Sequence, residues 1–227
     1  HPAPSVKEPT LVDWLKHKGI TLSTLSGEER HGIVHRLDRG TSGVMVVAKH
    51  NAAHEALSLQ LQDKSMGRFY LAIITPPLKD EVTIIDRPIG RSSHNRLKMA
   101  ISEHGKNAKT EFRKLLPSHD GTEELIACKL YTGRTHQIRV HLSYLRHPLV
   151  GDTLYGARVR LPKGASAALV SALQGFPRQA LHAIRLGLDH PETGEPVAWE
   201  VPMAADLAWV LDLLRMQSDA GGGVGLD

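Results

Sequence analysis

The spacing of apolar residues along the chain predicts a series of short strands interrupted by a few helices. Compact or alternating apolar runs of strand length are bounded by Gly, Pro, Asn and Asp, which commonly end strands. The predicted strands cover 43–49, 68–75, 82–85, 97–101, 110–116, 125–131, 181–188 and 197–201. The last two are joined by a turn-rich segment and are expected to pair with each other.

Helical spacing and end signals mark the remaining elements. Thr10 can cap a first helix that Gly19 ends, and Asn51 can cap a second helix that ends before Gly67. Further helices are predicted after Gly133, over 165–174 and over 204–216. This alternation predicts an α+β fold around a mixed, largely antiparallel sheet. No linker rich in Pro, Ser or Gly divides the chain, so a single domain is expected.

Composition narrows the class of protein. The chain has 227 residues, 41% of them hydrophobic, and no apolar run approaches the ~20 residues that span a bilayer. No signal peptide is visible, and the single cysteine, Cys128, excludes an internal disulfide. These features predict a protein of a reducing compartment, the cytoplasm, without membrane association.

Charge permits nucleic-acid binding without demonstrating it. The formal net charge is +4, and Lys and Arg are concentrated between Arg87 and Lys114. Such concentrations are usually solvated surfaces. Aromatic residues make up only 4% of the chain, which argues against a single-strand binder built on rows of stacking rings.

A first segment with chemical potential is HRLDRGTSG, residues 35–43. Asp38 lies between Arg36 and Arg39, and both positive charges favour the ionised carboxylate. Gly40 and Gly43 allow a ligand to approach the backbone closely. An isolated Arg-x-Asp would more simply be a surface ion pair in a turn.

A second segment is GRTHQIRVHL, residues 133–142. If a helix starts here, Arg139 lies one turn from Thr135 and beside His136, and an arginine that met Asp38 would hold it ionised and oriented. The simpler interpretation is a basic helix face. His136 and His141 are five residues apart, which does not place two metal ligands on one helix face, so no metal site is predicted.

Together with HPLVGDTLYG at residues 147–156, these segments resemble the RluA family of pseudouridine synthases. The three strings occur in the family's order, and the resemblance extends from His1 to about Met216. Within the family the nearest resemblance is to the RluD branch, which modifies large-subunit ribosomal RNA. It implies the pseudouridine synthase catalytic fold over 1–216, followed by a flexible tail over 217–227.

The resemblance also implies roles for individual residues. Asp38 matches the nucleophilic aspartate, Arg139 the basic residue that pairs with it, and Tyr70 the active-site tyrosine that packs on the target base. Arg36 matches an arginine that takes part in base flipping. The candidate RNA-binding residues are Arg36, Arg39, Arg134, His136, Arg96, Lys98 and Lys109.

The implied reaction is the isomerisation of specific uridines in RNA. It oxidises nothing and releases no group, so neither a cofactor nor a metal is expected. The implied partner is large-subunit ribosomal RNA or a ribosome-assembly intermediate, and a monomer is the default.

Three alternatives compete with this interpretation. The same chemistry could act on transfer RNA, or the fold could serve as a catalytically silent RNA-binding or ribosome-assembly module. A glycosidase or nucleosidase would need paired carboxylates, and we expect no second acid to accompany Asp38 in the matching segments.

The sequence also departs from the family pattern. Arg39 and Gly40 stand where Lys-Asp is common, which retains the positive charge and loses an acid. The chain starts inside a family motif and carries no S4-type RNA-binding domain, so we expect the first N-terminal strand of the fold to be missing.

Overall fold

The computed structural model describes residues 1–117, 122–156 and 158–221. Two compact units alternate along the sequence. The smaller unit contains His1–Leu37, Val44–Gly67 and Arg185–Glu200, and the larger contains Asp38–Gly43 with the described residues of Arg68–Ile184 and those from Val201 onward. This division reflects compactness alone, so the single domain proposed for residues 1–216 stays a prediction.

Local end signals set the two α-helices of the smaller unit. Helix α1 (Leu11–His17) begins with a capping box in which Thr10 and Asp13 satisfy each other's backbone groups, as the sequence predicts. Helix α2 (Asn51–Gln62) is capped by His50, one residue before the predicted cap. Asn51 is unavailable as the cap because its side chain accepts hydrogen bonds from Ser23 and Thr24.

The strand predicted over 43–49 is wrong for most of its length. The ladder is limited to β1 (Ser42–Gly43), which pairs in parallel with His182 and Ala183, and Val47 forms a single antiparallel bridge with Ile33. Val44 and Val46 instead pack in the apolar cluster of the smaller unit. The Val46 N–H donates to the His35 ring, 3.0 Å away, so this backbone group bonds a side chain instead of a neighbouring strand.

The strands form a mixed sheet with the order β1-β8-β2-β7-β6-β3. Its other members are β2 (Gly67–Ile74), β3 (Val82–Asp86), β6 (Lys109–Pro117), β7 (Glu124–Leu130) and β8 (Leu181–Asp189). The pairs β2–β7, β7–β6 and β6–β3 are antiparallel, and β1 pairs with β8 in parallel. The predicted α+β class with a largely antiparallel sheet is therefore confirmed.

The remaining strands complete the predicted pattern with one addition. Strand β9 (Pro196–Glu200) pairs antiparallel with the second half of β8, as expected from the turn between them. Strand β5 (Met99–Ile101) pairs with β4 (Ile89–Arg91), which the sequence pattern did not reveal. Three residues around Gly90 are too few to show an alternating pattern.

Helices α3 (Gln137–Tyr144), α4 (Ala167–Gln174) and α5 (Ala205–Gly221) belong to the larger unit. Helices α4 and α5 bury Leu169, Leu173, Leu207 and Val210 in one apolar cluster with Ile73 of β2. Helix α5 extends beyond the predicted end at Met216, and residues 222–227 of the predicted tail lie outside the described residues. Among the described helices, none has the length and apolar character required to cross a bilayer.

We predict that Gly43→Ala will strongly destabilise the protein. Gly43 has a φ of +125°, and a Cβ there would lie 2.2 Å from the carbonyl oxygen of Ala183. The backbone conformation and the clash together should lower the free energy of unfolding by roughly 3 kcal/mol or more. Urea denaturation would measure it.

Gly194→Ala is the matched control, because Gly194 also has a positive φ (+71°) but has nothing within 4 Å of the added Cβ. It should cost only ~1–2 kcal/mol. Equal losses for the two variants would show that the contact with Ala183 is unimportant.

Candidate active site

The loop that carries Asp38 runs to Gly43 and is held by two neighbouring side chains. Arg178 donates from Nη1 to the Gly40 carbonyl at 2.7 Å, and Gln179 donates from Nε2 to the Arg39 carbonyl at 2.8 Å. Arg178 is itself fixed by two 2.8 Å bonds to the Asp206 carboxylate at the start of α5. The loop therefore has a defined conformation although it has little secondary structure.

Tyr70 lies on β2 opposite Cys128 of β7 and is 6% exposed. Burial raises the pKa of its hydroxyl to about 12; the positive charge of Arg68 opposes this shift, and the negative charge of Asp38 adds to it. Asp38 is therefore close enough for its charge to act on Tyr70. At neutral pH the tyrosine is a protonated phenol.

Arg139 of α3 makes a two-pronged ion pair with Asp152. Its Nε donates to Asp152 Oδ2 at 2.8 Å and its Nη2 to Oδ1 at 2.9 Å, and both residues are more than nine-tenths buried. Burial opposes the charge on Arg139, but the bonds and charge of Asp152 leave its pKa raised. Burial likewise opposes the charge on Asp152, and Arg139 leaves its pKa lowered. Both groups are held ionised by each other.

This pairing differs from the direct Arg139–Asp38 pair that the resemblance implied. Asp38 acts on Arg139 electrostatically, after Asp152 in importance, and no hydrogen bond joins the two among the described residues. The statement that no acid accompanies Asp38 in the matching segments is also wrong, since Asp152 belongs to the third segment. Because Asp152 is locked to Arg139, however, it is not a protonated partner of the kind that a glycosidase requires.

Tyr155 completes the group around Asp38. Its hydroxyl accepts a hydrogen bond from the Met99 N–H at 2.8 Å and lies 2.7 Å from His136 Nδ1. Its ring centroid is 5.0 Å from the Arg139 guanidinium carbon. Burial raises the pKa of Tyr155, and Asp38 contributes in the same direction. Asp38, Tyr70, Arg139 and Tyr155 thus form one electrostatically connected site.

Buried polar contacts set the position of α3, which carries Arg139. Gln137 donates to the Lys109 carbonyl at 3.0 Å and to Thr110 Oγ1 at 2.9 Å, while its own Oε1 accepts from the Arg134 N–H at 3.0 Å. One turn later, His141 Nδ1 lies 2.8 Å from Thr110 Oγ1. The helix is therefore attached to β6 at two successive turns.

The candidate RNA-binding residues are only partly brought together. His136 and Lys98 both lie at Tyr155, where the Lys98 amine is 5.9 Å from the ring. Arg39 is in the Asp38 loop, and Arg134 Nε donates to the Asn107 carbonyl at 2.7 Å. The Lys109 amine lies over the Tyr131 ring, and the Arg96 carbonyl accepts a hydrogen bond from Arg91. Arg36 is exposed and belongs to the smaller unit.

Sequence reasoning missed the residues that support the site. Asp152 and Tyr155 stand in the third matching segment, so their presence in HPLVGDTLYG was a usable signal. Arg178 and Gln179 lie outside the three matching segments. Their function as a clamp on the Asp38 loop depends on contacts between residues almost 140 positions apart.

Comparison with known proteins identifies the class of enzyme. A family model described as RNA pseudouridylate synthase matches residues 4–144. The chain is 46% identical over 220 residues to "Ribosomal large subunit pseudouridine synthase D" of Pseudomonas aeruginosa, covering 97% of this chain and 67% of that protein. The chain therefore belongs to the RNA pseudouridylate synthase family, which confirms the resemblance found in its motifs.

Other relatives agree with this assignment. An "Uncharacterized RNA pseudouridine synthase" of Helicobacter pylori is 45% identical over 91% of this chain. The chain spans 61% of the length of that relative, so it corresponds to part of a longer protein there. The solved structure of human RNA Pseudouridylate Synthase Domain Containing 1 superposes with a TM-score of 0.64 at 27% identity, covering 91% of this chain and 85% of the human one.

We predict that Asp152→Ala will destabilise the protein by roughly 3–5 kcal/mol, because it leaves the buried Arg139 charge unpaired. Asp212→Ala, at an exposed position of α5, is the control and should change little. Thermal or urea unfolding would measure both.

The double variant Arg139→Met/Asp152→Leu separates stability from function. Removing both charges should restore much of the lost stability. Activity should stay absent, because Asp38 has then lost its neighbouring cation. Full activity in a stable double variant would contradict a catalytic contribution from Arg139.

We also predict that ionisation of Tyr70 lowers the free energy of unfolding at alkaline pH. The folded-state pKa of about 12 lies above the ~10 of an unfolded tyrosine, so the folded state retains its proton longer. This stabilisation is complete below pH ~10 and is lost as pH rises towards 12, by roughly 2–3 kcal/mol. Unfolding measured from pH 9 to 12 should show a smaller decline for Tyr70→Phe. The control Tyr144→Phe, at an exposed tyrosine, should follow the wild type.

Proposed function

We propose that this protein is an RNA pseudouridine synthase that isomerises specific uridines of large-subunit ribosomal RNA, with Asp38 as its nucleophile. The observation that carries the proposal is the grouping of Asp38, Tyr70 and Arg139 in one electrostatically connected site. Family membership, the fold and the grouped motif residues support the same chemistry.

The reaction requires little beyond such a site. The N1–C1′ bond of uridine breaks, the uracil turns, and a C5–C1′ bond forms; the proton lost from C5 is balanced by the one gained at N1. A carboxylate can attack the sugar or the base to assist the first step. Since no electrons are exchanged with another molecule, the chemistry requires no redox cofactor.

The Arg139–Asp152 pair suits a nucleophilic Asp38. A carboxylate bound directly by a guanidinium has its lone pairs engaged and is a poor nucleophile. Because Asp152 occupies two of the donors of Arg139, Asp38 receives electrostatic support without being held in that fork. The Asp38 carboxylate is then available to the substrate.

Tyr70 is suited to holding the detached uracil. Its ring supplies an aromatic surface on which the base can stack while it turns. With a pKa of about 12, its hydroxyl can donate a hydrogen bond or a proton at neutral pH but is not a base. Release of uracil to solvent would end the reaction, so a stacking surface has a direct use.

Base flipping brings the uridine to this site. Sequence-specific RNA recognition usually targets loops, where exposing a base costs least. Lys98, His136, Arg39 and Arg134 provide positive or hydrogen-bonding groups in the unit that contains Asp38. The names of the relatives favour ribosomal RNA over transfer RNA as the target. A cytoplasmic location, a monomeric state and base flipping by Arg36 are part of the same proposal.

The decisive variant is Asp38→Asn, which we predict will abolish isomerisation while RNA affinity and thermal stability stay near wild type. Unmodified large-subunit ribosomal RNA and a transfer-RNA pool would each be incubated with the wild type and the variant. Pseudouridine would be mapped by carbodiimide primer extension. Asp212→Asn, on the exposed side of α5, is the matched control and should retain full activity.

The outcomes separate the alternatives. Wild-type stops in ribosomal RNA alone support the proposal, and stops confined to transfer RNA change the substrate. RNA binding without any stops would indicate the catalytically silent module. Turnover by Asp38→Asn would remove Asp38 from the nucleophilic position.

A further inference from the structure

Arg68, at the start of β2, is a buried cation without an internal partner. The residue is 7% exposed and its Nε is inaccessible to solvent, and among the described residues its guanidinium makes neither an ion pair nor a hydrogen bond. Burying an unpaired charge is costly, and buried arginines are normally paired. The buried Arg139 of this protein is paired in that way, because the Asp152 carboxylate neutralises its charge.

The surroundings of Arg68 add positive charge. Burial lowers the pKa of its guanidinium, the nearby Tyr70 opposes that shift, and the positive charge of Arg134 reinforces it. No carboxylate is among the groups that act on Arg68. Two neighbouring arginines without an acid between them favour the binding of an anion from outside.

The end of the Arg68 side chain lies beneath a turn at the surface. A Cβ on Gly133 would be 2.5 Å from Arg68 Nη1, so the glycine leaves the space that the guanidinium occupies. Gly133 is exposed and Arg134 is half-buried. The absence of a side chain at Gly133 therefore lets the Arg68 guanidinium pack against an exposed stretch of backbone.

We infer that Arg68 and Arg134 form a binding subsite for a phosphodiester group of the RNA strand next to the target nucleotide. A guanidinium matches the paired oxygens of a phosphate, and phosphate contacts fix the register of a nucleic acid on a protein. The inference rests on the proposed function, because it assumes that RNA occupies the site of Asp38 and Tyr70.

A second source of negative charge is the uracil, which becomes anionic when the N1–C1′ bond breaks. A phosphodiester is favoured because the positive charge of Arg134 also acts on Arg68, and because the Arg68 guanidinium packs against Gly133, which is exposed. The two sources make different predictions. Loss of a phosphate contact lowers the affinity for RNA and reduces the salt dependence of binding, whereas loss of a uracil contact slows the chemical step.

The test compares Arg68→Met with the wild type, both carrying Asp38→Asn so that the RNA is not converted. Binding to an unmodified in vitro transcript of large-subunit ribosomal RNA would be measured from 50 to 300 mM KCl. Loss of one phosphate contact should weaken binding roughly tenfold and reduce the slope of log Kd against log[salt] by about 1. Arg215→Gln, at an exposed arginine of α5, is the control and should change neither quantity.

Single-turnover rates with saturating enzyme, in the presence of Asp38, distinguish the uracil anion. An unchanged salt slope with a slower rate for Arg68→Met would overturn the phosphate assignment in favour of the base. Unchanged binding and rate would overturn the inference altogether. Arg68→Lys keeps the charge and should retain the salt slope, which provides a second variant if Arg68→Met does not fold.

Inorganic phosphate provides a readout that does not depend on RNA turnover. Phosphate should raise the melting temperature of the wild type more than that of Arg68→Met, and sodium chloride at equal ionic strength corrects for general salt effects. An equal rise in both would count against the site. If the wild type binds no RNA but shows the phosphate difference, the proposed function fails while the anion subsite stands.

Discussion

The two-pronged bond between Arg139 and Asp152 is the interaction on which the site depends. It is buried on both sides, so each charge is tolerated only because the other is present. Asp152 Oδ1 also accepts hydrogen bonds from the backbone N–H groups of Leu154 and Tyr155 at 3.1 and 3.0 Å. One carboxylate therefore fixes the arginine of α3 and the segment that carries Tyr155.

A second arginine–aspartate pair, Arg178–Asp206, supports the loop that carries Asp38. Arg178 binds Asp206 with one part of its guanidinium and the Asp38 loop with another. This pair is less buried than Arg139–Asp152, and its function is to position a loop instead of a charge. The loop of the proposed nucleophile, Asp38, is thus held through its backbone carbonyls.

The buried positive charges of Arg139 and Arg68 are compensated in different ways. Near Asp38, the proposed nucleophile, the protein neutralises Arg139 internally through Asp152. At Arg68, the same protein leaves a guanidinium without a partner beside Arg134. An enzyme acting on a polyanion can use both arrangements, because its substrate brings the charge that the second one lacks.

Elements with strong local signals could be predicted from the sequence: the capping box of α1, strand β2, the β8–β9 pair and the helix after Gly133 all lie close to their expected positions. The motifs also led to the family, to Asp38 and to Tyr70. The partner of Arg139, the clamp on the Asp38 loop and the isolation of Arg68 could not be predicted in this way. Short-range periodicity determines where helices and strands form, whereas the partner of a buried charge depends on which distant segments packing brings together. For the same reason the valine-rich run after Gly43 has strand composition but does not extend the ladder of β1. Its neighbours in the fold offer a histidine ring, loop carbonyls and a single bridge to Ile33 instead of another strand edge.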